Sequence, residues 1–424
     1  MKISCGIDFG TSNSAIAAVC PGQEPRLVKS PEGKVTMPTA VFYPAAKELT
    51  PCFGMSAVQA YVNAERGRFM RSMKRVLGTP LMGSLTEVNG RNLQFEEILS
   101  AFIRYLKSLA EREFGAEIAQ VVMGRPVHFR DGDPAGDRQA EKELRQVAEA
   151  VGFKEIEFQF EPIAAAYAHE IKLRQEKLAC VIDIGGGTSD FTVIRLGPGR
   201  QQESDRRNDI LGSSGIRIGG NDFDKDLALQ SFMPELGYGS FYASRSSSSQ
   251  QLTVPAGIYH DLAEWSKINS LYTYKTLKLV RGLKLQAEEP DKIARLEEVL
   301  EQECGHSLLG AVEAGKIAAG QQEEVCKRLE FIDDKPAIRI LRREFEKAIE
   351  KNVGKISAAM GESLKQAGIK AGDIELVILT GGSTEIPAVQ KSLCAFFPGA
   401  EVSQDDKLSS VGLGLAYDSM RRFG

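Results

Sequence analysis

The chain has 424 residues, of which 42% are hydrophobic and 26% charged, and its net charge at pH 7 is −4. This composition is typical of a globular protein with two or three domains, and the negative balance argues against nucleic acid as a partner. Seven cysteines form no CxxC pair. No apolar run reaches the ~18 residues of a membrane span or forms a signal stretch. We therefore expect a cytoplasmic protein with reduced thiols and no membrane partner.

The first predicted element is a β-hairpin. Residues 6–19 read GIDFGTSNSAIAAV. An apolar run ends at Asp8, then Gly10, Thr11 and Ser12 follow, and a second apolar run returns. Glycine takes positive φ without a steric penalty, so this pattern predicts two strands joined by a tight turn.

The middle of the chain alternates strand and helix. We predict strands over 120–129 and 155–160, an amphipathic helix over 137–152, and a second helix with Pro162 in its first turn. This alternation indicates an α/β protein. Glu161 lies at the junction of strand and helix, a position suited to a general base or to a group that orients water. Alternatively, its carboxylate only interacts with the helix dipole.

A second hairpin repeats the pattern of the first. Residues 181–194 read VIDIGGGTSDFTVI, about 175 residues after the first copy. Two matched copies indicate two similar lobes, each of which opens with strand, glycine turn and strand. The polar and glycine residues of the second copy are Asp183, Gly185, Gly186, Gly187, Thr188 and Asp190.

A third glycine turn comes late, where residues 375–387 read ELVILTGGSTEIP. We predict a strand ending at Thr380, a turn at Gly381 and Gly382, and a helix with Pro387 in its first turn. Glycines let backbone N–H groups approach phosphate oxygens, and a helix N-terminus favours anions. Carboxylates near phosphates indicate hydrated Mg²⁺, which accepts one or two such ligands. The alternative is that all three are ordinary turns without a ligand.

Other stretches carry no predicted chemistry. Residues 197–209 and 244–251 are polar and are predicted to be flexible loops. Residues 344–367 are predicted to form a long helix that ends at Gly368. No GxxxxGK[ST] motif occurs, so the chain is not a P-loop protein.

Five motifs follow one another along the chain: GIDFGTSNS, FEPIAAA, VIDIGGGTSDFTVI, GGNDFD and LTGGSTEIP. Together they resemble the nucleotide-binding domain of the DnaK-type heat shock protein 70 family, in the actin-like ATPase superfamily. The resemblance covers nearly the whole chain. It implies an α/β actin-like ATPase fold with two lobes, each a ribonuclease H-like mixed sheet flanked by helices, and a nucleotide cleft between them. The stretches IGGNDFDKDLAL and LKLQAEEPDKIARLEEVLEQ are most similar to a stand-alone, YegD-like branch.

The resemblance also implies a set of site residues that would bind ATP or ADP with Mg²⁺ and hydrolyse ATP slowly. The implied catalytic residues are Lys74 (in MKRVLG), Glu161, Asp183, Thr188 and Asp8. The implied nucleotide-binding residues are Gly10, Thr11, Ser12, Gly185, Gly186, Gly187, Glu313, Lys316, Gly381, Gly382, Ser383 and Asp406. Asp8 and Asp183 would hold Mg²⁺ through water molecules. Glu161 and Asp190 would lie one step further from the ion.

The family pattern also implies a division into lobes. Lobe I would comprise residues 1–174 and 400–424, and lobe II residues 175–399, with a small subdomain at about 220–320. The sequence ends at Gly424 without a β-rich peptide-binding domain. We therefore expect a monomeric, nucleotide-controlled switch for an unknown partner protein or exchange factor.

Two departures from the family pattern concern the adenine site. Ile317 and Glu385 stand where the family has arginines that stack on the base, so base affinity and selectivity are open. One alternative function is therefore a nucleotide-binding scaffold that does not hydrolyse ATP. An actin-like filament protein and a sugar kinase are further alternatives, the last disfavoured by Lys74 and GGNDFD.

Overall fold

A computed structural model describes residues 3–45, 50–63, 65–88, 91–130, 133–203, 205–243, 251–265, 267–403 and 410–424. Within these ranges no helix has the length and apolar character needed to cross a membrane. Residues 244–250 and Asp406, for which we made predictions from the sequence, lie outside the described residues.

The described residues form an α/β protein. The α-helices are α1 (Gly54–Val62), α2 (Phe95–Phe114), α3 (Pro134–Ala150), α4 (Glu161–Glu170), α5 (Gly220–Leu227), α6 (Ala256–Leu262), α7 (Ile268–Leu271), α8 (Tyr274–Lys284), α9 (Pro290–Glu301), α10 (Gly305–Gln321), α11 (Arg342–Ala367), α12 (Pro387–Phe396) and α13 (Ser410–Phe423).

The strands are β1 (Ser4–Phe9), β2 (Asn13–Val19), β3 (Arg26–Leu27), β4 (Met37–Pro38), β5 (Ala40–Pro44), β6 (Cys52–Phe53), β7 (Gly67–Arg71), β8 (Leu85–Val88), β9 (Arg91–Gln94), β10 (Gln120–Arg125), β11 (Glu155–Phe160), β12 (Lys177–Ile184), β13 (Ser189–Leu196), β14 (Ile210–Ile216), β15 (Phe241–Ala243), β16 (Gln251–Thr253), β17 (Glu324–Arg328), β18 (Ala337–Leu341), β19 (Leu376–Thr380) and β20 (Glu401–Val402).

The first hairpin begins a mixed sheet with the strand order β11-β10-β1-β2-β3, to which β4 adds beside β2. β1 runs antiparallel to β2 and parallel to β10. Helix α13 packs so closely on β1 that a Cβ on Gly6 would lie 2.4 Å from the backbone nitrogen of Ala416. Because helices cover β1, its side chains are buried on both faces, as expected of a strand with a parallel neighbour.

The second hairpin begins a sheet of the same design, with the order β14-β13-β12-β19-β20. β12 runs antiparallel to β13 and parallel to β19. Asp183 faces Asp190 across the hairpin and lies beside Thr380 on the parallel strand. Both predicted hairpins and the α/β class are therefore confirmed.

Residues of the chain cluster into two compact units. The first consists of Met1–Arg217, Ala358–Thr384 and Cys394–Gly424 and contains both large sheets. The second consists of Ile218–Ser357 and Glu385–Leu393, and its described strands form two small hairpins, β15-β16 and β17-β18. The lobe boundaries inferred from the sequence stay a prediction.

Several predicted boundaries shift for local reasons. β10 ends at Arg125, before Pro126, because proline cannot donate to a ladder. Helix α3 begins earlier than predicted, at Pro134, because the Asp133 side chain accepts a hydrogen bond from the Gly136 N–H and caps the helix. The long helix begins at Arg342 and ends before Gly368, whose φ is +67°.

As predicted, the segment 197–209 is a loop, which joins β13 to β14, but two of its polar residues are buried. Residues 200–202 and 207–209 form 3₁₀ turns, and the side chains of Arg206 and Asp209 are almost fully buried. Arg206 and Asp209 pair with charged partners inside the protein, which a polar sequence alone does not reveal.

Candidate functional site

The turn of the first hairpin places Asp8 at the carboxyl end of β1, half-buried beside Gly10. A Cβ on Gly10 would lie 2.1 Å from the Asn13 carbonyl oxygen, so only glycine fits there. Thr39 fixes the turn from outside: its hydroxyl donates to the Gly10 carbonyl at 2.8 Å and its N–H to the Ser12 carbonyl at 2.8 Å. These two hydrogen bonds hold the backbone of the turn on both sides of Thr11.

The turn of the second hairpin follows Asp183 at the end of β12. The N–H of Gly185 donates to the Thr188 carbonyl at 2.9 Å and closes the turn. Gly186 and Gly187, between them, are only partly covered. The two hairpin turns thus present small, partly open backbone surfaces next to carboxylates.

The third turn packs directly on the second. Gly381 has φ of +80°, and a Cβ there would lie 2.4 Å from the Ile184 carbonyl and 2.6 Å from Oδ1 of Asp183. The Ser383 hydroxyl donates to the Gly185 carbonyl at 3.2 Å. The second and third glycine turns, 198 residues apart, therefore form one surface around Asp183.

Gly381→Ala is expected to destabilise the protein by about 2–4 kcal/mol, because it adds positive-φ strain to a steric overlap with β12. Gly399→Ala is the matched control. Gly399 has φ of +89°, and no atom of the described residues beyond its chain neighbours lies within 4 Å of the point that a Cβ would occupy. Its expected loss is about 1 kcal/mol. Equal losses in denaturant unfolding would contradict the close packing on Asp183.

Lys74 and Glu161 meet in the same unit. Lys74 lies in a 3₁₀ turn (Met73–Val76) after Ser72, whose φ of 57° is left-handed, an uncommon backbone that often marks functional sites. Its Nζ donates to Oε1 of Glu161 at 2.6 Å, and the two side chains are only 10% and 17% exposed. As predicted, Glu161 is the first residue of the helix that follows β11. The contact joins two residues that lie 87 positions apart in the sequence.

The carboxylates around Lys74 perturb one another. Burial raises the pKa of Asp8 to about 7, with Glu161 adding to the rise. Burial also raises the pKa of Asp183, to about 8. The charges of Asp190, Glu161 and Asp8 add to this rise, in that order of size. For Lys74, burial alone would lower the pKa, but Glu161 and Asp8 outweigh it and raise it. Perturbed carboxyl groups that share one site indicate a function.

A small cavity of about 70 Å³ adjoins these groups. Glu161, Asp183 and Asp190 lie on its wall. The rest of the wall combines apolar residues, such as Pro126 and Val411, with serine and threonine hydroxyls. Among the described residues, no group of three or more His, Cys, Asp or Glu is arranged to ligate a metal directly.

One cation near the site was missed by the sequence analysis. Nη2 of Arg75 lies 2.9 Å from the position that a Cβ on Gly187 would occupy. A guanidinium over the second glycine turn would contact a phosphate bound there. The signal was present in the sequence, since Arg75 directly follows Lys74, but a basic pair is ordinarily a solvated surface.

Glu313 and Lys316 lie on α10, in the second unit. Nζ of Lys316 donates to Oδ2 of Asp224 at 2.8 Å and to the Gly220 carbonyl at 3.3 Å. Glu313 is exposed, and the neighbouring Ile317 is 58% exposed. Their relation to the three glycine turns stays a prediction.

Two mixed sheets that each open with a hairpin and a glycine turn, and that place one carboxylate each near Lys74, define an actin-like ATPase fold. Comparison with known families agrees with this class. The family model described as Hsp70 protein matches residues 82–236 and 293–416, which is more than half of the chain. The chain belongs to the Hsp70 family, whose members are generally ATPases, and membership supports an ATP-binding, chaperone-like function.

Proposed function

We propose that the protein binds ATP and ADP and hydrolyses ATP slowly with Mg²⁺. The contact between Lys74 Nζ and Glu161 Oε1, at 2.6 Å and within electrostatic reach of Asp8, carries this proposal. A buried lysine held by a carboxylate at the end of a rigid helix is a suitable device for orienting a water molecule on a phosphate.

Nucleotide binding is supported by the glycine turns. In this proposal the backbone N–H groups around Gly10 and Gly185–Gly187 hold the phosphates, because no Cβ separates the backbone from the ligand. The hydroxyls of Thr11, Ser12 and Thr188 add donors. Arg75 supplies a second positive charge beside Lys74, which suits a polyphosphate.

The charge of the site supports Mg²⁺. The carboxylates are more numerous than the cations Lys74 and Arg75. The pKa values of Asp8 and Asp183 are raised by burial first and then by the neighbouring carboxylates. The lack of a direct ligand cluster among the described residues suits an ion that keeps its waters and is held through them. When bound, Mg²⁺ would neutralise phosphate charge.

The residues of the chain then have distinct tasks. Lys74 holds positive charge toward the γ-phosphate and fixes the attacking water, while Glu161 orients that water and accepts a hydrogen bond from it. Asp8 and Asp183 would hold the hydration shell of the ion. Positioning and charge neutralisation are the main contributions in phosphoryl transfer, so no covalent step on the protein is needed. Slow turnover follows if hydrolysis requires closure of the site.

At the level of the cell, the proposal is a cytoplasmic, monomeric switch whose nucleotide state is read by a partner protein. The likeness of two stretches to a stand-alone, YegD-like branch of the family motivates this part. So does the resemblance of the motifs to a domain that, in chaperones, controls another domain through its nucleotide.

The test of binding is the melting temperature with Mg²⁺–ATP, Mg²⁺–ADP and Mg²⁺–GTP at several concentrations. We expect ATP and ADP to raise the melting temperature. At a nucleotide concentration of 100 times the dissociation constant, the free energy of unfolding should increase by about 2.7 kcal/mol. A weaker shift with GTP is expected if the base is still recognised. No shift with any of the three would contradict nucleotide binding.

A second candidate is a nucleotide-binding scaffold without hydrolysis. The observation in its favour is that Lys316 is already paired with Asp224 and that the exposed Ile317 offers no guanidinium to stack on adenine. This candidate predicts the same melting shifts with no release of phosphate, so the two functions differ in one measurement.

A further inference from the structure

Helix α4 ends in a buried ion cluster. Glu170, its last residue, accepts hydrogen bonds from Nη1 and Nη2 of Arg206 at 2.9 and 2.8 Å. The Gly197 N–H donates to Oε1 of Glu170 at 3.1 Å. Nε of Arg206 pairs with Asp209, and the three charged side chains are at most 3% exposed. The C-terminal end of α4 is thus bonded to the segment between β13 and β14.

The same helix carries Glu161 at its other end. Helix α4 has ten residues, so its first and last Cα atoms lie only about 14 Å apart and its hydrogen-bonded backbone moves as one piece. Glu161 contacts Lys74 at one end, and Glu170 contacts Arg206 at the other. A displacement of the anchored end therefore reaches Glu161 through a rigid rod.

Packing holds the middle of α4, where the side chains from Ile163 to Ala166 are at most 1% exposed. A Cβ on Gly414 of α13 would lie 1.9 Å from the Ala164 carbonyl, so the two helices touch at that point. Further along the helix, Tyr167 stacks on Tyr417 of α13 with ring centroids 5.3 Å apart, and His169 forms a 3.0 Å hydrogen bond with Ser403. The two parallel hydrogen bonds from Arg206 add a directional constraint at the last residue of α4, because the guanidinium fork has a fixed geometry.

We propose that Glu170 and Arg206 are positioning residues, which hold α4 so that Glu161 meets Lys74. The proposal rests on the proposed function, since it assigns the cluster to the ATPase site. A buried ion pair is a costly way to gain stability, because desolvation offsets most of the attraction. Its value here is directional: a bidentate pair defines one orientation, whereas an apolar contact of the same size permits several.

The test compares Arg206→Lys, which keeps the charge but loses the fork, with Arg207→Met. Arg207 is the matched control because it is 75% exposed and pairs with the exposed Asp205. We expect Arg206→Lys to lower kcat for ATP hydrolysis at least tenfold with KM nearly unchanged, since misplacement by about 1 Å can cost about 100-fold. Arg207→Met should change neither. Leu109→Ala, a core substitution on α2, controls for lost stability alone.

Coupling to Glu161 separates positioning from a general structural effect. Sites more than about 10 Å apart are normally additive. We expect Arg206→Lys to cause less than a twofold further loss in a Glu161→Gln background. A full tenfold loss in that background, or a kcat unchanged in a folded Arg206→Lys protein, would overturn the proposal. If Arg206→Lys does not fold, Asp209→Asn, which weakens the same cluster, replaces it under the same criteria.

A structural readout keeps the inference testable without hydrolysis. If the wild-type protein releases no phosphate, the proposed function fails, and crystal structures of the wild type and of Arg206→Lys in one crystal form decide the inference. A separation of Lys74 Nζ and Glu161 Oε1 that lengthens from 2.6 Å to beyond hydrogen-bond distance supports the positioning role. An unchanged separation overturns it.

Discussion

Lys74→Met is expected to lower kcat for ATP hydrolysis by at least about 100-fold while nucleotide affinity stays within about tenfold of the wild type. Methionine fills the space of the lysine stem but carries no charge toward the γ-phosphate. It also leaves Glu161 in a largely buried position without its 2.6 Å partner. Single-turnover phosphate release and nucleotide-induced melting shifts, measured on the same samples, separate the two effects.

The matched control is Lys177→Met. Lys177 also pairs with a carboxylate, Glu401, at 3.1 Å, but away from the glycine turns and with a partner that is 68% exposed. Loss of such a pair costs less than about 1 kcal/mol and should leave kcat unchanged. A Lys74→Met protein that hydrolyses ATP at the wild-type rate would remove Lys74 from the mechanism.

Asp183→Asn is expected to abolish Mg²⁺-dependent hydrolysis and yet to stabilise the nucleotide-free protein. The pKa of Asp183 is raised from 3.8 to about 8, by burial first and then by Asp190. The folded state therefore binds more protons than the unfolded state between those values. Stability from this group is fully present below pH ~4 and is lost as the pH rises through about 8. Asparagine removes that loss, so the gain should be several kcal/mol at pH 8 and small at pH 4.

Urea unfolding of both proteins from pH 5 to pH 9 measures this difference directly. Asp205→Asn is the control, because hydrogen bonds from Arg207 lower the pKa of that exposed carboxyl. Removal of the Asp205 carboxylate should therefore not stabilise the protein. If Asp183→Asn is less stable than the wild type at pH 8, ionisation of Asp183 does not destabilise the nucleotide-free protein.

The parts of the site that came from the sequence are those governed by local rules. Gly10 and Gly381 could be assigned to turns because each follows an apolar run that predicts a strand. The structure shows why glycine stands there: neither site has room for a Cβ, and φ is positive at Gly381. Glu161 could be placed at a helix start because Pro162 follows it. The repeated pattern of the two hairpins predicted that each begins one of two similar sheets. The strand order confirms this prediction.

The parts that escaped prediction depend on contacts between distant segments. The polar segment 197–209 has the composition of a flexible loop, but Arg206 finds Glu170, 36 residues away, and becomes buried. The assignment of Lys316 to nucleotide stays a prediction, but the hydrogen bond from its Nζ to Asp224, 92 residues away, was not foreseen. The position of Arg75 at the candidate site follows only from the structure, which places its guanidinium beside Gly187. Side-chain partners of this kind follow from tertiary structure and not from spacing.

The most direct test of the central claim is single-turnover release of phosphate from Mg²⁺–ATP by the purified wild-type protein, with Lys74→Met in parallel. The account predicts slow release that requires Mg²⁺ and that falls at least about 100-fold in the variant. No release by the wild type, or equal release by both proteins, would contradict it.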